Sequence, residues 1–129
     1  WVTPDLLDSL EAASTQLIAC WGNNDGDELR SRLPERADAE LAGLHFTVVH
    51  ETGGAAARHT RMSRLYPETD VLVFGHSHIP WDTTTPTGLR LLNPGSPTDR
   101  RRQPFCTYMT ATVEDASLNV SLHRLEPRA

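Results

Sequence analysis

The sequence predicts an α/β domain whose first half alternates helices with apolar strands and whose second half is mostly antiparallel β. Three apolar runs of strand length, ending at Trp21, Val49 and Phe74, are separated by stretches with helical or loop character. After Pro80 the apolar runs become short and closely spaced, with turn residues between them. No linker, repeat or low-complexity stretch divides the 129 residues, so a single domain over 1–129 is expected.

Thr3 followed by Pro4 reads as a helix start, with Thr as N-cap and Pro at the first helical position. Leu6, Leu7 and Leu10 then place an apolar stripe on a helix over 4–14. Gln16 to Trp21 is a strand-length run that stops at the loop Gly22-Asn23-Asn24-Asp25-Gly26. A short helix is expected over Asp27–Leu33, closed by Pro34, and a strand over Leu44–Val49, rich in β-branched and aromatic residues. Gly53-Gly54-Ala55 leads into a helix over about 56–65. Val71 to Phe74 is the clearest strand, a continuous apolar run of the kind buried on both faces. Strands are then expected at Trp81–Thr85, Leu89–Leu92, Phe105–Val113 and Leu118–Leu125, with turns at Pro86-Thr87-Gly88 and Glu114-Asp115-Ala116.

The net charge of −5 argues against an extended nucleic-acid surface, because that affinity comes from clustered cations. All 12 basic residues are Arg; the one run, Arg100-Arg101-Arg102, reads as a solvated loop. No stretch approaches the roughly 20 apolar residues that span a bilayer, and no leader is visible before Thr3, so a cytoplasmic protein without membrane contact is expected. Cys20 and Cys106 lie far apart in apolar runs and read as small core residues rather than a disulfide.

The three apolar runs each end in groups able to bind a metal. The first runs into Asn23 and Asp25, the second into His50, the third into His76 and His78. In open α/β sheets, ligands collect beyond the carboxyl ends of the strands, where distant segments meet. Taken singly, a Gly-Asn-Asn-Asp-Gly loop is more often a turn, and a lone His50 more often a partly buried, hydrogen-bonded histidine. Two imidazoles one residue apart after a buried strand, in Gly75-His76-Ser77-His78, point more directly to a metal.

The order Gly-Asn-x-Asp, His after a strand, Gly-His-x-His and then Asn93-Pro94-Gly95-Ser96 resembles the calcineurin-like metallophosphoesterases, and within them the small bacterial and archaeal phosphodiesterase branch. The resemblance implies a β-sandwich flanked by helices (α/β/β/α). It implies two divalent ions (Mn, Ni, Fe, Zn or Co), a hydroxide bridging them as nucleophile, and a small phosphoester as substrate. By motif, Asn23, His50 and His76 resemble ligands of the second metal and His78 a ligand of the first. Asp25 resembles a carboxylate that orients a ligand or water. Asn23, Asp25 and His76 are thus the expected catalytic set, while Asn93 to Ser96 shape the floor. His45, His59 and His123 are expected to lie outside the site.

Two departures stand out. The family's fuller pattern has a His after the metal-binding Asn; here the position is Asn24, an amide that cannot donate a proton to a leaving oxygen. The Asp-x-His and Gly-Asp motifs that complete the first metal site do not occur, as though a βαβ-sized piece preceding Trp1 were missing. Activity is therefore expected only with that upstream segment. A chain truly beginning at Trp1 is expected to be inactive and prone to aggregation, or rescued by a partner or by self-association, through its unpaired strand edges. The alternatives are a non-catalytic interaction module on the same fold and a β-rich domain with one structural zinc. The last is disfavoured because both Cys lie away from the histidines.

Overall fold

The structure is a computed structural model that describes residues 4–14, 16–22 and 25–125. The capping role expected of Thr3 lies outside these residues. Helix α1 spans Pro4–Ala13 and buries Leu7, while Leu6 and Leu10 stay largely exposed. A hydroxyl-to-backbone bond from Ser9 to the Asp5 carbonyl (3.0 Å) sits on its open face. The run 16–21 is extended but joins no ladder among the described residues; the Trp21 amide instead donates to the Pro34 carbonyl at 3.0 Å. The strand expected there has no ladder partner among the described residues. Helix α2, Asp27–Arg32, follows, with acidic residues in its first turn and arginines in its last, the charge order that its dipole favours.

Strand β1, Arg36–Leu41, was not anticipated from sequence, since its only apolar residues are two alanines and a terminal leucine. It forms because Ala42 and Gly43 adopt positive φ (47° and 88°) and turn the chain into β2, Leu44–Val49, with antiparallel register from Arg36↔Val49 to Leu41↔Leu44. Helix α3, Arg58–Leu65, starts two residues later than expected, after Ala57 in the left-handed region. Strand β3, Val71–Val73, then runs parallel to β2.

Strands β4 (Trp81–Thr84) and β5 (Arg90–Asn93) form a hairpin, but β5 also pairs in parallel with β3. The result is one mixed five-stranded sheet ordered β1-β2-β3-β5-β4. The antiparallel half is thus not a separate layer: its first hairpin extends the sheet begun by the α/β half. Strands β6 (Cys106–Glu114) and β7 (Ser117–Leu125) make a second, two-stranded sheet, closed by Asp115 and Ala116 at φ 48° and 61°. Helices and the two sheets together give the mixed α/β architecture expected.

The core gathers Val49, Met62, Leu72, Phe74, Leu89 and Leu91, with Tyr66 and Trp81 packed at its border. Leu72 and Leu91 are fully buried. Cys20 and Cys106 are not joined in a disulfide and are only half-buried, not core residues as expected; burial, then the Asp25 charge, push the Cys20 thiol above its ordinary pKa. No helix among the described residues is long and apolar enough to cross a membrane.

Candidate functional site

Strands β2, β3 and β5 are parallel, so their carboxyl ends open on the same side of the sheet. His50 follows β2, Gly75-His76 lies just beyond β3, and Asn93 ends β5. The ladder continues one step past the strands: the Gly75 amide donates to the His50 carbonyl at 2.8 Å, and Phe74 donates to Leu92 at 2.9 Å. These bonds bring the two imidazoles face to edge, ring centres 5.0 Å apart, with His50 Nε2 and His76 Nδ1 at 3.0 Å.

The first apolar run reaches the same place. A side-chain carbon added at Gly22 would lie 2.9 Å from His50 Nδ1, so the glycine provides the seat for that ring. Asp25, buried among the loop residues, accepts a 2.7 Å hydrogen bond from the Gly22 amide through Oδ2. Burial, then the neighbouring His76, push the His50 pKa down, while Glu51 and Asp25 oppose this weakly. Both causes favour the neutral imidazole, the form with a ring lone pair for a metal. Glu51 was not singled out from sequence, yet its Oε2 lies 3.4 Å from His76 Nε2. Only the tertiary pairing of β2 with β3 brings it there.

Gly75-His76-Ser77-His78 carries unusual backbone. His76 and His78 both have positive φ (70° and 61°), a region that L residues occupy at a cost of roughly 1–2 kcal/mol each. The fully buried Asn93 holds this turn: Nδ2 donates to Ser77 Oγ at 3.2 Å and to the Gly75 carbonyl at 3.4 Å, and Oδ1 accepts from Gly95 N at 2.9 Å. The floor expected of Asn93 to Ser96 is thus a bracket for the histidine turn.

His78 takes a different partner from the other two: its Nδ1 lies 2.5 Å from the Asp99 carbonyl. Asn23 and Asn24 lie outside the described residues. His45 pairs with Asp38 (2.8 Å), His59 with Thr83 (2.7 Å), and His123 with Thr110 (2.7 Å) while stacking on Tyr108. These three are engaged elsewhere, in keeping with their expected exclusion from the site.

The donor set can be tested against a metal. Two imidazole nitrogens sharing a tetrahedral ion at about 2.0–2.1 Å stand roughly 3.3 Å apart. The His50–His76 separation of 3.0 Å fits after a few tenths of an ångström of opening. Among the described residues no three His, Cys, Asp or Glu side chains gather tightly enough to hold an ion by themselves. The pair therefore supplies two ligands of a site that needs further donors.

A family profile described as the calcineurin-like phosphoesterase superfamily domain matches residues 1–116. No curated protein matches. Among solved structures, the chain is similar to a Thermotoga maritima protein at 26% identity and TM-score 0.73, covering 96% of this chain and 75% of that one. It shares the fold of zinc-complexed Vps29 from Entamoeba histolytica (19% identity, TM-score 0.73, 95% and 75% covered). It also shares the fold of an archaeal phosphodiesterase (20% identity, TM-score 0.69, 95% and 78% covered).

Proposed function

Because this chain belongs to the calcineurin-like phosphoesterase superfamily, we propose that it carries part of the active centre of a metal-dependent phosphodiesterase acting on small phosphoesters. The observation that supports the reading most is the meeting of His50 and His76 beyond two adjacent parallel strands, with their ring nitrogens at 3.0 Å. His50, His76 and, by motif, Asn23 would hold one divalent ion, and His78 would contribute to a second. A bound divalent ion supplies Lewis-acid polarisation of the phosphoryl group.

The chain's own residues have definable tasks. Gly22 and the loop carboxylate of Asp25 fix His50, Asn93 fixes the turn bearing His76, and the Glu51 carboxylate stands 3.4 Å from His76 Nε2. Asn24 cannot protonate a leaving group, so the reading favours esters of acidic phenols over simple alkyl esters. A protein of the cytoplasm, able to self-associate, remains part of this reading.

A second reading, an interaction module on the same fold, draws on the amide at position 24 and on the fold shared with Vps29. One experiment separates them. The full-length protein is loaded with Mn or Ni, its metal content is measured, and hydrolysis of bis(p-nitrophenyl) phosphate is followed with and without chelator. Metal-dependent turnover supports the phosphodiesterase. Stoichiometric metal without turnover, or no metal at all, supports the module.

A further inference from the structure

A cavity of about 400 Å³ opens beside the imidazole pair, and His50 and Glu51 form its inner wall. Glu51 also reaches His76, so the cavity is continuous with the candidate centre rather than separate from it. This volume lies at the small end of the range that holds small-molecule ligands, roughly 300–1,000 Å³.

Its outer lining has a definite chemistry. Trp21 and Tyr66 both face the cavity, together with Arg36 and Glu35. Each aromatic ring is pinned by a guanidinium: Arg30 lies 4.1 Å from the Trp21 ring centre and Arg36 lies 5.1 Å from that of Tyr66. Arg36 is itself fixed by Asp38 through two bonds of 2.9 and 3.0 Å. The backbone holds both aromatics as well, Trp21 through its amide to Pro34 and Tyr66 through its amide to Met62 at 2.9 Å. Two rings immobilised before a ligand arrives pay little ordering entropy on binding, the condition under which stacking contributes most.

Charge narrows the choice further. The wall carries two carboxylates, Glu35 and Glu51, against one arginine, Arg36, which is itself paired with Asp38. Such a wall disfavours a second phosphate and favours a neutral group with N–H donors for the carboxylates to accept. We infer that this cavity binds the planar aromatic part of the substrate, an aryl or nucleoside group joined through a single phosphate that sits at the imidazole pair. The inference rests on the phosphodiesterase reading for the position of the phosphate, and it adds the class of ester.

Binding tests this without turnover. The full-length, metal-loaded protein is titrated calorimetrically with adenosine 5′-monophosphate, phenyl phosphate and ribose 5-phosphate. Both aromatic esters should bind at least tenfold more tightly than ribose 5-phosphate. Trp21→Ala and Tyr66→Ala should each weaken them roughly 5- to 100-fold, the range of single base–aromatic stacks, while changing ribose 5-phosphate little. Adenosine monophosphate binding more tightly than phenyl phosphate assigns a nucleoside; equal affinity assigns a simple aryl group. Should both variants fail to fold, Leu65→Glu, at an exposed position on the cavity lining, must weaken the aromatic ligands selectively. Equal affinity for all three ligands, or unchanged affinity in the folded variants, overturns the inference. Hydrolysis of bis(p-nitrophenyl) phosphate is scored separately: turnover without aromatic preference leaves the phosphodiesterase standing and removes only the cavity's role. Aromatic preference without turnover does the reverse.

Discussion

Replacing Gly95 by Ala should destabilise the protein through a collision whose partner can be removed. Gly95 has φ +77°, and a side-chain carbon there would run into the hydroxyl of Thr107, with Pro80 Cγ a further 3.2 Å neighbour. The hydroxyl is occupied: it donates to the Pro94 carbonyl at 2.7 Å from a residue 5% exposed. The left-handed backbone costs an alanine about 1–2 kcal/mol. Displacing Thr107 adds about 1–3 kcal/mol for a buried polar group that loses its partner. The sum, roughly 2–5 kcal/mol, corresponds to a fall in Tm of roughly 10 °C for a domain of this size. Thr107→Ala alone should cost about 1–2 kcal/mol by losing the same bond. In the double variant the obstructing oxygen is gone, so the combined loss should fall short of the sum by about 1 kcal/mol or more. Urea denaturation followed by circular dichroism on the four proteins measures the cycle. Additivity within about 0.5 kcal/mol would refute the collision and leave only backbone strain.

Other consequences are as direct. The Arg36 guanidinium, with Thr47 and His45, holds the Asp38 carboxyl well below the usual carboxylate range. Its folded pKa thus lies below the unfolded value near 3.9, so its contribution is complete above that pH and is lost as the pH falls through the folded value. Asp38→Asn should flatten the acid limb of the stability curve below about pH 4, and an unchanged acid limb counts against the pairing. His76→Ala should lose metal, by elemental analysis, and activity together, whereas His123→Ala, bonded to Thr110 on the second sheet, should lose neither. Asn24→His should raise turnover of alkyl phosphodiesters more than that of p-nitrophenyl esters, since only poor leaving groups need the proton; equal gains would place leaving-group protonation elsewhere. Leu72→Ala, at a fully buried position in β3, should cost about 2–5 kcal/mol by calorimetry.

Much of this layout was legible in the sequence because apolar pattern and turn chemistry agreed locally. Leu44–Val49, Val71–Val73 and both later hairpins form where β-branched runs meet Gly, Pro or Asp turns. Arg36–Leu41 was hidden because an edge strand takes its order from its neighbour: Arg-Ala-Asp-Ala-Glu-Leu has little β propensity of its own. Gln16 to Trp21 differs in the opposite sense: among the described residues no ladder forms along it, and an apolar run is a strand only where a partner backbone is paired with it. At the site, His50 and His76 announced themselves by following buried strands. Glu51 beside His76, Gly22 beneath His50, and the cavity between Trp21 and Tyr66 depend on register and helix placement, which no local pattern encodes. The turn of His78 toward Asp99 is of the same kind.

The bond from Gly75 to the His50 carbonyl has a consequence for motion. Ligands carried on loops ordinarily open and close with the loop, on a timescale of their own. Here the two imidazoles hang from adjacent rungs of one parallel ladder, continuous with strands whose side chains form the core. Parting them by more than a rotamer adjustment means unzipping β2 from β3, an event that belongs to global unfolding rather than to breathing. The pair therefore keeps its spacing for as long as the sheet is intact, and slow rearrangement is left to the 51–57 loop beside it.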